Sequence, residues 1–301
     1  MPRTIVFGGA GFLGSHVVDM LLVRGHEVVL FDRRRSSHHE DRRLQQIEGD
    51  ICDPQAVRTA MEGCTLAYNF AGLADLNRSI EEPYEAVRLN VLGNTNILEG
   101  CRGQGIERFV YASTVYVLSQ KGAVYGATKK ANELLIQEYA TYYDLPFTII
   151  RYGSVYGPRA DASNRVYRIL RQALRAGRID FPGDGEEERE YIHVRDAAKL
   201  SVDILEPHYR NRHVVLTGIE RLKYRTLLEM IREILNDEVE IVFNNQDYRG
   251  HYKLTPYSFL PSPGEKLVNN PSIDFGQGIL ECLTEIHAEL QAEHEVDRPA
   301  G

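Results

Sequence analysis

The sequence predicts an α/β fold, a doubly wound parallel sheet with an interleaved, smaller C-terminal lobe. Two observations predict it. Short apolar runs of strand length alternate with longer stretches of helical periodicity, and a glycine-rich turn joins the first strand to the first helix. Strands separated by helices form parallel sheets that are covered on both faces. The 301 residues are enough to bury a substantial core.

The apolar runs predict strands at residues 4–7, 27–31, 66–70, 108–111 and 147–150. Between them, apolar residues recur every three or four positions, as at Leu13, Val17 and Leu21, which predicts helices. After Arg151 this alternation loosens. We therefore predict a first domain over residues 1–152, to which residues 191–217 return, and a smaller lobe over residues 153–190 and 218–292. Residues 293–301 are polar, and we expect a flexible tail there.

Composition and charge disfavour several classes of protein. The hydrophobic content of 43% and the charged content of 26% are those of an ordinary globular chain. A net charge of -8 disfavours a nucleic-acid partner, because such proteins carry a basic face. No apolar run approaches the ~20 residues that span a bilayer, and the first strand begins too early for a signal segment. We expect a cytoplasmic protein with no membrane partner.

The cysteines are scattered along the chain and form no Cys-x-x-Cys pair. This spacing predicts reduced thiols and neither a disulfide framework nor a metal site. The four residues are Cys52, Cys64, Cys101 and Cys282.

The glycine-rich turn predicts a dinucleotide site. Gly8 allows a tight turn, Gly11 lets a pyrophosphate approach the backbone, and Gly14 lets the helix pack against the strand. The helix begins near Phe12 and Leu13, where its N–H groups attract phosphate. A glycine-rich turn without a ligand is the alternative. The position at the first strand-to-helix junction favours the dinucleotide.

Asp32 ends the second predicted strand, 18 residues after Gly14. A carboxylate at this position accepts hydrogen bonds from ribose hydroxyls and repels a 2′-phosphate, which favours NAD over NADP as the cofactor. Arg33 opens a run of three arginines that could pair with such a phosphate or remain solvated loop charges. We place both Asp32 and Arg33 at the cofactor.

Residues that follow the third and fourth predicted strands lie at the same edge of the sheet. Ligands bind at this edge, so we expect these residues to flank the adenine and the ribose-phosphate path. They are Asp50, Ile51, Phe70, Ala71 and Gly72.

Tyr125 and Lys129 are four residues apart, so on a helix they face the same way. A lysine ammonium beside a phenol favours the phenolate and lowers its pKa from ~10, as a general base requires. A chance pair on a surface helix is the alternative. The upstream dinucleotide motif favours a catalytic pair.

With these motifs, the chain resembles the extended short-chain dehydrogenase/reductase family, and within it the branch of nucleotide-sugar epimerases and dehydratases. Such a resemblance implies a Rossmann fold. The resemblance is carried along nearly the whole chain by residues 8–14, Asp32, Asp50, Asn90, residues 125–129, 151–152, 155–159 and 183–185, Arg189 and residues 193–196.

The resemblance also implies roles for individual residues. Tyr125 would take a proton from a sugar hydroxyl while hydride leaves the same carbon, usually C4, for NAD. Lys129 would bind the nicotinamide ribose, and Asn90 and Tyr152 would border the cofactor. Arg189 matches the arginine that meets the pyrophosphate of a nucleoside-diphosphate sugar, and a forked, permanently charged donor suits phosphate.

The chain departs from the family pattern near Tyr125. Relatives use a Ser or Thr hydroxyl beside the tyrosine. Counting forward from the fifth predicted strand puts Thr114 at the position of this hydroxyl, and counting back from Tyr116 puts Ala112 there. Ser113 lies between them. We therefore retain both Ser113 and Thr114 as catalytic candidates. Ser154, a predicted substrate contact, stands where many relatives carry asparagine.

We predict an NAD-dependent nucleotide-sugar epimerase that acts through a 4-keto intermediate. A 4,6-dehydratase is disfavoured, since Thr114 is followed by Val115 and Tyr116 and not by an acidic pair. The alternatives are a 4-dehydrogenase or keto-sugar reductase with net redox and, from another class, a non-catalytic NAD-binding protein.

The resemblance further implies a homodimer that packs two helices of each subunit, one of them carrying Tyr125. Four apolar residues on these helices are candidates for the contact, although core packing explains them equally well. They are Val91, Ile97, Leu134 and Leu135.

Overall fold

The protein is built around a parallel sheet of seven strands. The computed structural model describes residues 1–119, 121–219 and 221–244, and the sheet has the order β10-β6-β5-β4-β1-β2-β3. Every neighbouring pair is parallel. The strands are β1 (Arg3–Phe7), β2 (Glu27–Asp32), β3 (Leu44–Glu48), β4 (Leu66–Asn69), β5 (Arg108–Thr114), β6 (Phe147–Tyr152) and β10 (Arg212–Leu216).

The strand order reverses beside β1, which lies between β2 and β4. In such sheets the connections leave in opposite directions at this point, and the carboxyl ends of the strands open into a crevice. The topology therefore places the ligand site next to the glycine-rich turn.

Helices cover both faces of the sheet. The main ones are α1 (Phe12–Val23), α2 (Pro54–Ala60), α5 (Gly93–Gln104), α6 (Ala123–Tyr143) and α8 (Val194–Asp203). Successive residues of β1 point to opposite faces: Ile5 and Phe7 join one apolar cluster with Ile97, and Val6 joins the other with Val18. Two separate cores, one on each face, are the mark of the doubly wound arrangement.

A third apolar cluster lies apart from the sheet and contains Ile169, Ile179, Phe181, Leu228 and Ile231. It is built from α7 (Arg165–Ala176), β8 (Arg178–Pro182), α9 (Tyr224–Ile234) and β12 (Glu240–Asn244), with β8 and β12 paired in parallel. A small sheet joins β7 (Ser154–Tyr156), β9 (Glu188–His193) and β11 (Arg221–Lys223). The shorter elements are α3 (Leu76–Glu81), α4 (Pro83–Val87), a π-helical turn (Arg88–Leu92) and 3₁₀ turns at Val115–Leu118 and Pro207–Tyr209.

All five strands predicted from the sequence are present, and the doubly wound fold is confirmed. β5 runs three residues beyond its predicted end, to Thr114. The division into domains stays a prediction: β10 lies in the large sheet, and much of the range 218–292, the predicted tail and Cys282 lie outside the described residues. Among the described residues, no helix is long and apolar enough to cross a membrane.

The substitution Gly14→Ala tests how closely α1 packs against the glycine-rich turn. An added Cβ would lie 2.2 Å from the carbonyl oxygen of Gly8, so the backbone would have to move. We expect Gly14→Ala to lower the melting temperature and weaken NAD binding. Thermal unfolding with and without NAD measures both.

Gly103 is the matched control. It lies in α5 with nothing within 4 Å of an added Cβ. Gly103→Ala should raise the stability by up to about 1 kcal/mol through helix propensity. Equal effects of the two substitutions would contradict the packing argument.

Candidate active site

A continuous cleft runs along the carboxyl ends of the central strands. One part, of about 980 Å³, is lined by Gly8, Gly11, Asp32, Arg33, Asp50, Ile51, Phe70, Ala71 and Gly72. The adjoining part, of about 450 Å³, is lined by Phe12, Leu13, Gly14, Ser113, Thr114, Tyr125, Lys129, Tyr152, Ser154 and Arg189. Both parts share Gly8, Gly11, Phe70 and Gly72. Of the residues predicted from the sequence, all except Asn90 line this cleft.

The glycine-rich turn forms the floor where the two parts meet. Gly8 has φ +75°, and a Cβ there would lie 2.6 Å from the backbone nitrogen of Ala71. Gly11 caps α1 without a side chain, and its added Cβ would approach only the Gly8 carbonyl oxygen, at 3.2 Å. The turn therefore leaves room for a phosphate at the positive end of α1, so these residues fit a dinucleotide.

Asp32 lies at the end of β2, where its carboxylate accepts a hydrogen bond from the Ala10 N–H at 3.1 Å. This contact ties the carboxylate to the glycine-rich turn. Arg33 and Arg34 line the same end of the cleft, but both are exposed. Solvent screens exposed cations, so the half-buried carboxylate dominates the local field.

The outer wall of the cleft is formed by the segments after β3 and β4. The Asp50 carboxylate accepts a hydrogen bond from the Cys52 N–H at 2.9 Å and lies 3.8 Å from the Arg88 guanidinium. Ile51 is buried against Gly93 of α5. These contacts fix the wall opposite Asp32.

Asn90 supports this wall from behind. Its amide accepts a hydrogen bond from the Leu73 N–H at 2.7 Å and donates to the Leu73 carbonyl at 3.0 Å and to the Thr128 hydroxyl at 2.9 Å. The side chain is buried and does not line the cleft. Its place beside the cofactor stays a prediction. Asn90 positions the segment that begins at Gly72.

Thr114 and Ser113 point to different partners. The Thr114 hydroxyl accepts a hydrogen bond from the Tyr116 N–H at 3.3 Å, and its interaction with the phenol of Tyr125 lowers the pKa of that phenol. The Ser113 hydroxyl donates to the Glu133 carboxylate at 2.5 Å. Both residues line the cleft, and each interacts with a side chain of α6. Which of the two hydroxyls is catalytic stays a prediction.

Lys129 lies one helical turn beyond Tyr125 on α6. Its ammonium donates to the Ala112 carbonyl at 2.7 Å and is 5.9 Å from the centroid of the Tyr125 ring. Lys129 therefore spans the gap between α6 and the end of β5.

Burial controls the protonation of this pair. It raises the pKa of Tyr125 to about 12, against a smaller lowering by the hydrogen bond from Thr114. It lowers the pKa of Lys129 to about 8, against a raising effect of Glu133. The shift at Tyr125 is opposite to the one expected from Lys129, because desolvation of the phenolate exceeds any stabilisation by the ammonium.

Arg189 lies at the far end of the cleft and is only 2% exposed. Its guanidinium donates to the Glu188 carbonyl at 2.6 Å and lies 5.3 Å from the centroid of the Tyr224 ring. Ser154, in β7, lines the same part of the cleft. The hydroxyl of Tyr152 is hydrogen-bonded to that of Ser201 at 2.6 Å. Tyr152 therefore contributes the rest of its side chain, and not this hydroxyl, to the wall of the cleft.

Two further arginines line this end of the cleft and were not predicted. Arg165 lies 4.9 Å from the centroid of the Phe181 ring. Arg168 lies 3.5 Å from the Asp75 carboxylate, across the cleft. The signal in the sequence was the N-cap Asn164, which begins α7 and places both arginines in its first two turns.

The helices expected to form a dimer differ in exposure. Ile97 is fully buried in the core, so the core-packing alternative holds for it. Leu134 is 58% exposed, whereas Val91 and Leu135 are half-buried. The homodimer stays a prediction. Within the described ranges, no group of His, Cys, Asp or Glu residues is arranged to hold a metal ion.

Comparison with known proteins places this geometry in a family. The model of the NAD dependent epimerase/dehydratase family matches residues 4–216. The UDP-glucose 4-epimerase of Mycolicibacterium smegmatis is 32% identical over 225 residues, which cover 66% of this chain and 72% of that protein. The UDP-N-acetyl-alpha-D-glucosaminuronate decarboxylase of Bacillus cytotoxicus is 25% identical over 93% of this chain and 96% of its own.

Solved structures show the same similarity. The UDP-glucose 4-epimerase of Thermotoga maritima, solved with UDP-glucose, superimposes with a TM-score of 0.77 at 26% identity, over 84% of this chain and 88% of that one. The UDP-glucose 4-epimerase of Thermus thermophilus, solved with NAD, gives a TM-score of 0.74 at 26% identity, over 92% and 96%. The fold, the cleft and the family match together show that this chain is an enzyme of the NAD-dependent epimerase/dehydratase family with NAD as its cofactor.

Proposed function

We propose that the protein is a nucleotide-sugar 4-epimerase that acts on a UDP-sugar through a 4-keto intermediate. The observation that carries the proposal is that Tyr125, Lys129 and Arg189 line the same part of the cleft, together with Thr114. This arrangement puts a proton acceptor and an anion-binding side chain into one cavity, next to the dinucleotide turn. The relatives of known activity that bind UDP-glucose support the choice of sugar nucleotide.

In this proposal NAD supplies a reversible hydride acceptor beside C4 of the sugar. The Tyr125 phenolate accepts the proton of the C4 hydroxyl, and the resulting phenol returns it when the ketone is reduced. The Thr114 hydroxyl keeps the phenol oxygen aligned in both steps. Lys129, held by the Ala112 carbonyl, places positive charge near the phenolate.

The far end of the cleft suits the anionic part of such a substrate. Arg189 and Arg165 both lie within 6 Å of the centroid of the Tyr224 ring, at 5.3 and 5.6 Å. Guanidinium groups bind phosphate with forked, charge-assisted hydrogen bonds. In our proposal Arg189 meets the diphosphate, and Ser154 contacts the sugar nucleotide nearby.

The reaction after oxidation is set by the segment that follows Thr114. Val115 and Tyr116 begin a 3₁₀ turn there, and neither carries a carboxyl group that could eliminate water. Epimerisation needs no further acid or base, because Tyr125 serves both half-reactions. This favours an epimerase over a 4,6-dehydratase.

The function is tested by incubating the purified protein with UDP-glucose, UDP-N-acetylglucosamine and UDP-glucuronate, and with GDP-, CDP- and dTDP-sugars. We expect the 4-epimer of a UDP-sugar to form without added cofactor, with transient absorbance of the bound reduced cofactor. Product that requires stoichiometric NAD or a second electron acceptor would instead identify a 4-dehydrogenase or a keto-sugar reductase.

Removing the phenol oxygen tests the proton acceptor. Tyr125→Phe should retain the fold and NAD but lower kcat by ~10²–10⁴-fold, the usual contribution of a general acid-base group. Steady-state kinetics and NAD binding measure the two effects. The control is Tyr142→Phe, an exposed position on the same helix, which should change neither. Activity of Tyr125→Phe within a few-fold of the original would remove Tyr125 from the mechanism.

The two hydroxyls of β5 can be separated by substitution. Thr114→Val keeps the branched shape and removes the hydroxyl that lowers the pKa of Tyr125, so kcat should fall by about tenfold or more, in line with an acid-base contribution. Thr114→Ser should retain most activity. Ser113→Ala should cost less than Thr114→Val, because the Ser113 hydroxyl bonds Glu133. A larger loss for Ser113→Ala would assign the hydroxyl role to Ser113.

Cofactor choice rests on Asp32. At about 4 Å and an effective dielectric of 20, repulsion between a carboxylate and a phosphate charge amounts to about 4 kcal/mol. NAD should therefore bind more tightly than NADP. Asp32→Ala should reduce this difference in affinity, mainly by improving the binding of NADP. Calorimetry with both cofactors measures this, with Arg35→Ala as a control outside the cleft lining. Equal affinities in the unmodified protein would show that Arg33 or Arg34 reaches the phosphate.

A further inference from the structure

An ion pair connects the two walls of the cleft, and the reaction scheme above gives it no role. It joins the Asp75 carboxylate to the Arg168 guanidinium, whose nearest oxygen and nitrogen are 3.5 Å apart. Asp75 lines both parts of the cleft, and Arg168 lines the part that contains Tyr125. The pair therefore lies beside the passage that a dinucleotide occupies when it extends from Asp32 to Tyr125.

Asp75 belongs to a firmly held wall. Its carboxylate caps α3, where Oδ1 accepts a hydrogen bond from the Arg78 N–H at 2.9 Å, and Oδ2 is the oxygen that faces Arg168. The next turn of α3 is tied to α6, because the Ser79 hydroxyl accepts a hydrogen bond from the Tyr125 N–H at 3.2 Å. The carboxylate is therefore fixed relative to the helix that carries the candidate catalytic residues.

Arg168 extends from the opposite wall, where it lies near the beginning of α7. Its Nη1 donates to the carbonyl oxygen of Ala162 at 2.8 Å and to that of Ser163 at 3.2 Å. Both of these residues line the cofactor part of the cleft. One guanidinium thus connects the loop before α7 with Asp75 on the other wall. We call residues 161–168 the lid.

The lid and the Asp75 wall face each other above the glycine-rich turn. The residues shared by the two parts of the cleft include Gly8 and Gly11 from the floor, Asp75 from one wall, and Asp161 and Ser163 from the lid. A pyrophosphate binds at such a glycine turn. The side chains of the pair are 24% and 39% exposed, so the pair lies at the mouth of the cleft and not in its interior.

We propose that the Asp75–Arg168 pair holds the lid closed over bound NAD and controls the entry and release of the cofactor. The pair consists of protein atoms alone, so it forms in the free and in the NAD-loaded protein. An interaction that is equally strong in both states slows passage in both directions and leaves the affinity unchanged. The inference depends on NAD as the cofactor and not on the proposed sugar reaction.

The test measures how fast the cofactor enters and leaves the full chain. Stopped-flow fluorescence of NADH gives the entry rate, and displacement of bound NADH by excess NAD gives the release rate. Arg168→Gln removes the ion pair and its hydrogen bonds to the lid. We expect both rates to rise by about tenfold. Their ratio, which is the Kd, should stay nearly unchanged.

Asp75→Asn isolates the ion pair. Asparagine caps a helix as well as aspartate does, so α3 keeps its N-cap. Because partly exposed ion pairs contribute little, both rates should rise by only about two- to fivefold. In Asp75→Asn/Arg168→Gln the rates should equal those of Arg168→Gln alone, since the pair is already broken there.

The control is Arg171→Gln, since this arginine is exposed on the same helix and lies outside the cleft lining. It should leave both rates as they are. Should Arg168→Gln not fold, Asp75→Asn decides the question, because it leaves the hydrogen bonds of the lid intact.

Three results would overturn the proposal. The first is unchanged rates in folded Arg168→Gln and Asp75→Asn. The second is faster release with an unchanged entry rate, which would assign Arg168 to direct contact with NAD. The third is an additive effect in the double variant, which would show that Asp75 and Arg168 act separately. The measurement uses no sugar nucleotide, so it is decided even if no UDP-sugar is epimerised.

Discussion

The packing of α6 against the end of β5 is the constraint on which the candidate active site depends. Lys129 donates to the Ala112 carbonyl and Glu133 accepts from the Ser113 hydroxyl, so two successive residues of the strand each hold one turn of the helix. A slip of one residue in β5 would move both residues away from these partners. The parallel sheet supplies the rigidity, because β5 lies between β4 and β6 and cannot shift alone.

Burial has opposite effects on the two parts of the cleft. At the dinucleotide turn, close packing around Gly8 and Gly14 exposes backbone N–H groups at the end of α1, where an anion is stabilised without any charged side chain. Around Tyr125 and Lys129, the same exclusion of water disfavours both charged forms. Burial therefore opposes ionisation of both candidate catalytic groups, and Glu133 acts against this effect at Lys129.

The sequence predicted the elements whose signals are local. The glycine spacing, the alternation of strands and helices, and the helical pair Tyr125 and Lys129 each depend on a few neighbouring residues, and the structure brings them to one cleft. Asn90, Ser113 and Arg165 could not be placed in this way. Their partners are 16 or more residues away in the chain, and no local periodicity encodes which hydroxyl of β5 lies beside Tyr125. β5 extends to Thr114, three residues beyond its predicted end, so both hydroxyls belong to the strand.

The proposed mechanism depends most on the ionisation of Tyr125, which burial opposes and which the positive charges of Lys129 and bound NAD would favour. The direct measurement is an ultraviolet titration of the phenolate, taken as the difference between the protein and Tyr125→Phe, with and without NAD. Without NAD the phenol should titrate near its pKa of about 12, and with NAD at a clearly lower pH. The same pKa in both states would contradict the account.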